Sequence, residues 1–386
     1  MTGTHKEGAA APAANEISLV AYRQELAELV NIDSGTADIA GVATMAERMA
    51  EKYRALGWHV EFADLGSVVG PGLVATNKPG AAQYDVLLVG HLDTVFPHGT
   101  AAARPFTEEE GVARGPGVAD MKSGLLSMFY ALRHLDAATL ERLAICVVLN
   151  PDEEISSVHS HAWIGTYAQR SNCVLVFEGA RADGSLVNAR KGVGIYEIEF
   201  KGVAAHAGND HPKGRSAVVE LAHWILALNP LTDYAAGTTV NVGIVKGGTV
   251  SNVVPETAYA KVDIRYWKTS EFERVEQKLL QLQQTPFTPD VRVELKRRSF
   301  KPAMELLPGS QALMQVVGAA AAAVGESIGW VAVGGGSDAN YTAALGVPSL
   351  DGFGPIGGNY HGEQEFLMLD SVIPRIRLVQ EVLRRL

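Results

Sequence analysis

Cysteine is nearly missing: the 386-residue chain has two, Cys146 and Cys173. Two cannot build a disulfide framework or a Cys-rich zinc site. Both sit in apolar runs, Ala144 to Val148 and Cys173 to Val176, which places them as buried free thiols. Basic residues are in deficit, with 33 Lys plus Arg against 43 Asp plus Glu, for a formal charge of -10. An excess of carboxylates repels phosphate backbones, so no nucleic-acid partner is expected. No apolar run approaches the ~20 residues that span a bilayer, so no membrane partner is expected either. Met1 to Lys6 lead into Ala and Pro rather than an apolar core, which argues against a signal peptide and for a cytoplasmic protein. Several catalytic signatures are missing as well. There is no Gly-x-Ser-x-Gly elbow for a serine hydrolase. Residues 115 to 123 look like a phosphate loop, but Met121 stands where a Gly must precede Lys-Ser. Gly115-x-Gly117 lacks the third Gly of a dinucleotide fingerprint, which argues against a nucleotide-binding oxidoreductase.

What is present is the patterning of a globular α/β protein, with 47% hydrophobic and 20% charged residues. Residues 1–15 are a small, flexible lead-in. Two amphipathic helices follow, one with Leu19, Tyr22, Leu26, Leu29 and Val30 on its apolar stripe, the other with Val42, Met45, Met49, Tyr53 and Leu56. Gly57 stops the second. Val86 to Val89, Ile145 to Leu149 and Val174 to Phe177 are almost continuously apolar. Such runs are strands covered on both faces, the central sheet of an α/β domain.

The pattern changes near residue 190. Tyr196, Ile198 and Phe200 alternate with Glu197, Glu199 and Lys201, a strand with one wet face. A helix over about 216–228, strands over 239–246 and 257–266, a helix over 270–284 and an alternating strand with Val291, Val293 and Leu295 complete the order β-α-β-β-α-β. That order is the ferredoxin-like arrangement. After Pro302 the α/β character returns. The expected architecture is a catalytic domain over 16–189 and 301–386, interrupted by an inserted domain over 190–300.

In an open α/β sheet, ligands bind beyond the carboxyl ends of the strands. Those ends carry Gly90-His91-Leu92-Asp93, Asn150-Pro151-Asp152-Glu153-Glu154 and Phe177-Glu178-Gly179. A Gly-rich loop, Gly115 to Gly124, holds Asp120, and His361 follows Gly352 to Gly358. Taken singly, each is an ordinary cap, loop residue or surface histidine. Together they crowd carboxylates that would repel one another severely. A pair of divalent cations resolves that repulsion. Imidazole with carboxylate oxygens and no thiolate suits Zn²⁺, with Co²⁺ or Mn²⁺ as substitutes. Asp93, two residues after His91, could orient its ring, since metal-bound imidazole commonly donates its other N–H to a carboxylate. The Glu153-Glu154 pair can divide labour, one residue binding metal and the other taking a proton from water.

The motifs His91-Leu92-Asp93, Gly115-x-Gly117-x-x-Asp120-Met121-Lys122, Asp152-Glu153-Glu154, Ala205-His206-Ala207-Gly208 and Gly334-Gly335-Gly336-Ser337-Asp338-Ala339 occur in the order of one family. The chain resembles the two-zinc aminoacylase and carboxypeptidase family, which includes acetylornithine deacetylase and succinyl-diaminopimelate desuccinylase. Within it, the nearest likeness is to folate-cleaving glutamate carboxypeptidase, supported by Val30 to Thr36 and Val262-Asp263-Ile264-Arg265-Tyr266. The resemblance spans nearly the whole chain. It implies His91 and Glu178 on one metal, Glu154 and His361 on the other, and Asp120 bridging both. It implies Glu153 as general base and Asp93 as the orienting partner of His91. The inserted domain would be a lid and homodimer interface. Its His206 would bind the scissile carbonyl oxygen, often in the partner subunit's site. Asn252, Arg265 and the loop with Gly335, Gly336 and Ser337 would hold the substrate carboxylate.

The implied function is a zinc-dependent carboxypeptidase acting on a small molecule or peptide with a free carboxylate. Water shared by the two zinc ions, deprotonated by Glu153, would attack the amide bond before a C-terminal amino acid. Glutamate is the first choice, in folate-like, N-acyl or peptidyl form. A broader N-acyl amino acid deacylase or a dipeptidase is the alternative, and a catalytically silent binding module is the alternative outside enzymes. Ser337 stands where relatives often have Thr. The basic residue that would read a glutamate side chain is Arg181, Arg190, Lys191 or Lys301.

Overall fold

The apolar runs that the sequence assigns to buried strands lie side by side in one sheet. The computed structural model describes residues 17–386, so the expected lead-in over residues 1–15 lies outside the described residues. Strands β1 (His59–Ala63), β2 (Gly72–Thr76), β3 (Val86–His91), β4 (Ile145–Asn150) and β5 (Val174–Val176) are joined by a short strand, Ser349–Leu350. Their order across the six-stranded sheet is β1, β2, β4, β3, β5, then Ser349–Leu350. β1 and β2 are antiparallel additions at one side, while β3 runs parallel to both β4 and β5.

Every residue of β2 through β5 is buried, because helices cover both faces. Leu88, Val147 and Leu175 pack against Tyr22, Met49, Leu125 and Val379 on one side. Leu87, Val148 and Val174 pack against Ile164, Ala168 and Ala343 on the other. Cys146 and Cys173 are both buried and free. Parallel neighbours end at one edge of the sheet. His91 closes β3, Asp152 to Glu154 follow β4, and Glu178 follows β5, so the topology delivers all of them to the same edge.

The inserted domain has the expected β-α-β-β-α-β order. It comprises β6 (Gly192–Lys201), the helix Ala217–Leu228, β7 (Thr239–Gly247), β8 (Thr257–Tyr266), the helix Thr269–Gln284 and β9 (Arg292–Lys301). All pairs are antiparallel, in the order β7, β8, β6, β9. Tyr196, Ile198 and Phe200 face the helices and share a core with Trp224, Phe272 and Leu279. No described helix is long and apolar enough to cross a membrane.

Two small assemblies go beyond the sequence reading. Leu186–Arg190 pairs in parallel with Trp330–Val333 beside the inserted domain. Thr107–Glu109, Val112–Arg114, Gly357–Gly358 and Phe366–Met368 form a four-stranded sheet that frames the segment carrying His361. Strands of two to five residues have no measurable periodicity, which is why sequence patterning passes over them.

The helix Ser123–Arg133 approaches the end of β5 at Gly124. A Cβ there would lie 2.1 Å from the carbonyl oxygen of Phe177. The missing side chain therefore lets the helix seat against the turn that presents Glu178. Gly124→Ala should destabilise the protein by about 1–3 kcal/mol, the usual size of an overpacking penalty. Urea unfolding measures this, and a wild-type midpoint would show that the contact relaxes freely.

Candidate metal centre

Asp120 lies at the middle of the cluster. Its Oδ1 is 3.1 Å from Nε2 of His91, and its Oδ2 is 3.1 Å from Nε2 of His361. Each imidazole has a carboxylate of its own. Glu178 Oε1 is 3.7 Å from His91 Nε2, and Glu154 Oε2 is 3.1 Å from His361 Nε2. His91, Asp120 and Glu154 have donor atoms within 4.8 Å of one another, as do His91, Glu153 and Glu178. His361 holds its place with a backbone φ of 64°, in the left-handed region that non-glycine residues rarely occupy.

The electrostatics show what such a cluster costs. Burial, reinforced by the Asp120 charge, pushes the Glu178 carboxyl well above the usual range. Burial also raises Glu154, to about 7, although its bond to His361 pulls the other way. Hydrogen bonds to Asp120 and Glu154 lift His361 to about 10. Burial would lower His91, but Asp120 and Asp93 hold it well above an ordinary imidazole. Burial would likewise raise Asp120, and the two imidazoles outweigh it to keep that carboxyl low. The protein alone neutralises the cluster only by retaining protons. Cations fit the same need. Glu154 Oε1 is buried with no hydrogen-bond partner, an open acceptor beside a histidine. Two imidazole nitrogens with surrounding carboxylate oxygens are the donors that divalent metals of the zinc type prefer.

The supporting contacts are equally directed. Asp93 holds His91 Nδ1, through its carbonyl at 3.0 Å and its carboxylate at 3.3 Å. The same carboxylate accepts the backbone N–H groups of Glu153 and Glu154, at 3.1 and 3.2 Å, and the hydroxyl of Thr36 at 2.6 Å. It therefore fixes the ring and the Glu pair together. Asp152 points inward, accepting His159 N–H at 2.7 Å and the Ser160 hydroxyl. The turn is thus anchored by Asp152 while Glu153 and Glu154 face the cluster.

Sequence reasoning missed Glu365. This buried carboxylate accepts the N–H groups of Gly117, Ala119 and Asp120, at 3.1, 2.8 and 2.9 Å. It lies four residues after His361, so it ties the His361 loop to the Asp120 loop. No local motif marks it, since its partners are about 245 residues away. Asp351 was missed for the same reason. It pairs with buried Arg190 at 2.6 Å and accepts the Ser337 hydroxyl at 2.5 Å.

The residues expected on the substrate side fall into separate groups. His206 and Asn252 are exposed neighbours: the short strand Ala205–His206 pairs with Val253–Val254, and Ala207 N–H donates to the Asn252 carbonyl at 2.9 Å. His206 Nδ1 accepts from Gly208 and Asn209, and no hydrogen bond or ion pair joins it to the metal cluster among the described residues. Arg265 makes a bidentate pair with Asp263, at 2.8 and 2.9 Å. Ser337 turns inward, its N–H bonded to Asn340 Oδ1 at 2.9 Å and its hydroxyl to Asp351. The N–H groups of Gly335 and Gly336 donate to no described acceptor. The four basic residues considered for a glutamate side chain all have internal partners. Lys301 donates to Glu153 Oε1 at 2.8 Å, and Arg190 donates to Asp351 and the Gly335 carbonyl. Lys191 donates to the Gly237 carbonyl at 2.5 Å, and Arg181 lies over the Tyr360 ring.

The chain is similar to known proteins over most of its length. Residues 87–385 match the model of peptidase family M20/M25/M40. The chain is 32% identical over 354 residues to carboxypeptidase G2 of Pseudomonas sp., covering 91% of this chain and 85% of that protein. It is 27% identical over 372 residues to the uncharacterized protein YqjE of Bacillus subtilis, with 93% and 96% covered. Among solved structures, aminopeptidase PepT from Bacillus cereus superposes with a TM-score of 0.79 at 24% identity, covering 96% of this chain and 99% of that one. An M20 family metallo-carboxypeptidase from Sulfolobus solfataricus superposes with a TM-score of 0.71 at 18% identity, covering 94% and 98%. These two likenesses bear on the fold alone.

Removing Glu365 frees both loops it ties. Glu365→Ala should weaken divalent-ion binding by about 10–100-fold, the usual effect of losing a residue that supports metal ligands. Competition with a chromogenic chelator reads this directly. Wild-type affinity in the variant would mean that the loops hold Asp120 without it.

Proposed function

The chain belongs to peptidase family M20/M25/M40, a family of metal-dependent hydrolases, and we propose that it is a two-zinc carboxypeptidase releasing a C-terminal amino acid, with glutamate the first choice. The observation that carries this reading is the carboxylate of Asp120, shared between His91 and His361 at 3.1 Å each, with a separate glutamate beside each ring. His91 and Glu178 would hold one ion, Glu154 and His361 the other, and Asp120 would bridge. Zinc bound there would acidify a water and polarise the scissile carbonyl. Glu153 would serve as the base that takes a proton from the attacking water and passes it to the leaving amine. Asp93 keeps His91 in one tautomer and holds the Glu153 N–H. Asn252, Arg265 and the N–H groups of Gly335 and Gly336 receive the substrate carboxylate, on a loop that Ser337 anchors to Asp351. Support for this comes from Lys191, whose ammonium is pushed below its ordinary range by burial and then by the nearby Arg265 charge. A substrate carboxylate there would compete with Asp263 for Arg265, with Lys191 as a second cation nearby.

The glutamate preference rests on the resemblance of the motifs to folate-cleaving glutamate carboxypeptidase, and the likeness to carboxypeptidase G2 supports a carboxypeptidase. A broader N-acyl amino acid deacylase or dipeptidase is the second reading. Glu153→Gln should lower kcat by a factor on the order of 10² or more, the usual size of a general-base contribution. Bound zinc should stay at two equivalents, as read by elemental analysis. If the substitution empties the site while Glu154→Gln does not, the roles of the pair are reversed.

The same reading makes the protein a homodimer through the inserted domain. Its two edge strands differ. β9 carries Arg292, Glu294, Lys296, Arg297 and Arg298, charges that discourage pairing. β7 exposes Ile244 and Val245, with Val219 and Leu226 exposed on the adjoining helix. His206 would then act in the partner's site as an oxyanion donor, worth about 10²–10³ in rate. Separately, His206→Ala and Glu153→Gln chains should be nearly inactive. Mixed and allowed to exchange, they should recover roughly a quarter of wild-type activity, because about half the dimers are mixed and one of their two sites is complete. No recovery from mixed dimers verified by mass spectrometry would remove His206 from the partner's reaction.

A further inference from the structure

Glu154 and Ile155 form part of the wall of a cleft of about 810 Å³, a volume within the range of small-molecule sites. The rest of the lining comes from Val68 and from the loops at 35–38 and 94–98. Large apolar side chains stand open inside it: Val68 is 61% exposed, Val95 40% and Ile155 46%, with Phe96 packed behind them. Exposed apolar side chains gathered in one concavity mark a surface that is covered during use. Carboxylates in the lining are limited to Asp38, which is engaged, and Glu154, whose open Oε1 is the oxygen a metal ion would take in the proposed centre. Asp38 caps the helix Ile39–Ala55 through Gly41 N–H at 2.9 Å and pairs with His98 at 2.7 Å. Glu154 faces His361 in the metal cluster.

An amide held at the metal centre sends its two halves in different directions. The groups suited to the carboxylate half, Arg265 and the Gly335 and Gly336 N–H groups, belong to the inserted domain and the 334–337 loop. None of them lines the cleft, which opens instead beside Glu154. Resting on the reading of this centre as an amide hydrolase, we infer that the cleft seats the acyl half of the substrate. It takes an uncharged, apolar acyl group in preference to a residue with a free α-ammonium. Each methylene it covers leaves water, which favours binding. With a metal ion on Glu154, an ammonium in the same place loses solvation and finds no free carboxylate in the lining. This sets the chain's specificity toward N-acyl amino acids and away from dipeptides.

A matched pair of substrates isolates the charge. N-(4-methylpentanoyl)-glutamate and Leu-Glu differ only in the α-ammonium, and the same pair can be made with alanine as the released residue. With zinc-loaded protein, kcat/KM should favour the acyl compound at least about tenfold in each pair, as expected for an unpaired buried charge. Along the N-acylglutamates from acetyl to hexanoyl, kcat/KM should rise about fourfold per methylene. Val68→Asp and Val95→Asp should each flatten that rise. Methyl resonances of Val68, Val95 and Ile155 should also shift when N-hexanoylglutamate is added to Glu153→Gln protein. Turnover with dipeptides equal or preferred, or an acyl-chain dependence untouched by both variants, would overturn the acyl assignment and leave amide hydrolysis standing. No turnover of any of these compounds would overturn the hydrolase reading itself, and the acyl assignment with it.

Discussion

Asp120 divides one carboxylate between two imidazoles, and most of the surrounding structure exists to keep it there. Parallel strands bring His91, the Glu153-Glu154 turn and Glu178 to one edge of the sheet, which concentrates like charges in a buried place. Left to itself, such a cluster disperses or protonates. It is held by contacts whose only evident use is orientation. Glu365 fixes the Asp120 backbone with three N–H bonds. Asp93 fixes His91 and the Glu turn with one carboxylate. The left-handed backbone of His361 adds a local strain that the four-stranded sheet around it must offset. Orientation of this quality costs folding free energy and is returned when cations bind.

The fold was largely legible because its signals are periodic. Nearly continuous apolar runs gave the central strands, and the alternation at Tyr196, Ile198 and Phe200 marked the strand that opens the inserted domain. Residues of the cluster were legible for a different reason: strand ends hold ligands in this architecture, and polar residues following buried strands stand out. The residues that anchor them were not. Glu365, Asp351 and Asp338 act across long separations; the first two look like ordinary loop acids in sequence, and Asp338 stands in a motif that gives no sign of its partner. Asp338, for instance, accepts from Ser157 at 2.5 Å across 181 residues. Reading such contacts requires the fold first.

Lys301 shows the same limit in a sharper form. The sequence offers it as one of four basic residues for a glutamate side chain. In the structure it is the last residue of β9, buried, with its ammonium 2.8 Å from Glu153. Burial would lower its pKa, and the charges of Glu153 and Asp338 outweigh that and raise it. A buried pair of this kind is strongly destabilising to break from one side. The closing strand of the inserted domain is therefore fastened to a residue of the catalytic edge.

That bond also bears on how Glu153 and Glu154 divide their work. Proximity alone leaves the matter open, because Glu153 groups with His91 and Glu178, and Glu154 with His91 and Asp120, each set within 4.8 Å. The partners of the oxygens separate them. Glu153 already has a cation at Oε1, the Lys301 ammonium, which compensates its charge without a metal. Glu154 has His361 at Oε2 and a buried Oε1 with no partner. An unpartnered buried carboxylate oxygen is costly, and a divalent ion relieves that cost. A carboxylate already satisfied by an ammonium gains less from a metal and stays free to move a proton. This fits the proposed division, Glu154 as ligand and Glu153 as base, and the cation that separates the two is Lys301 at the end of β9.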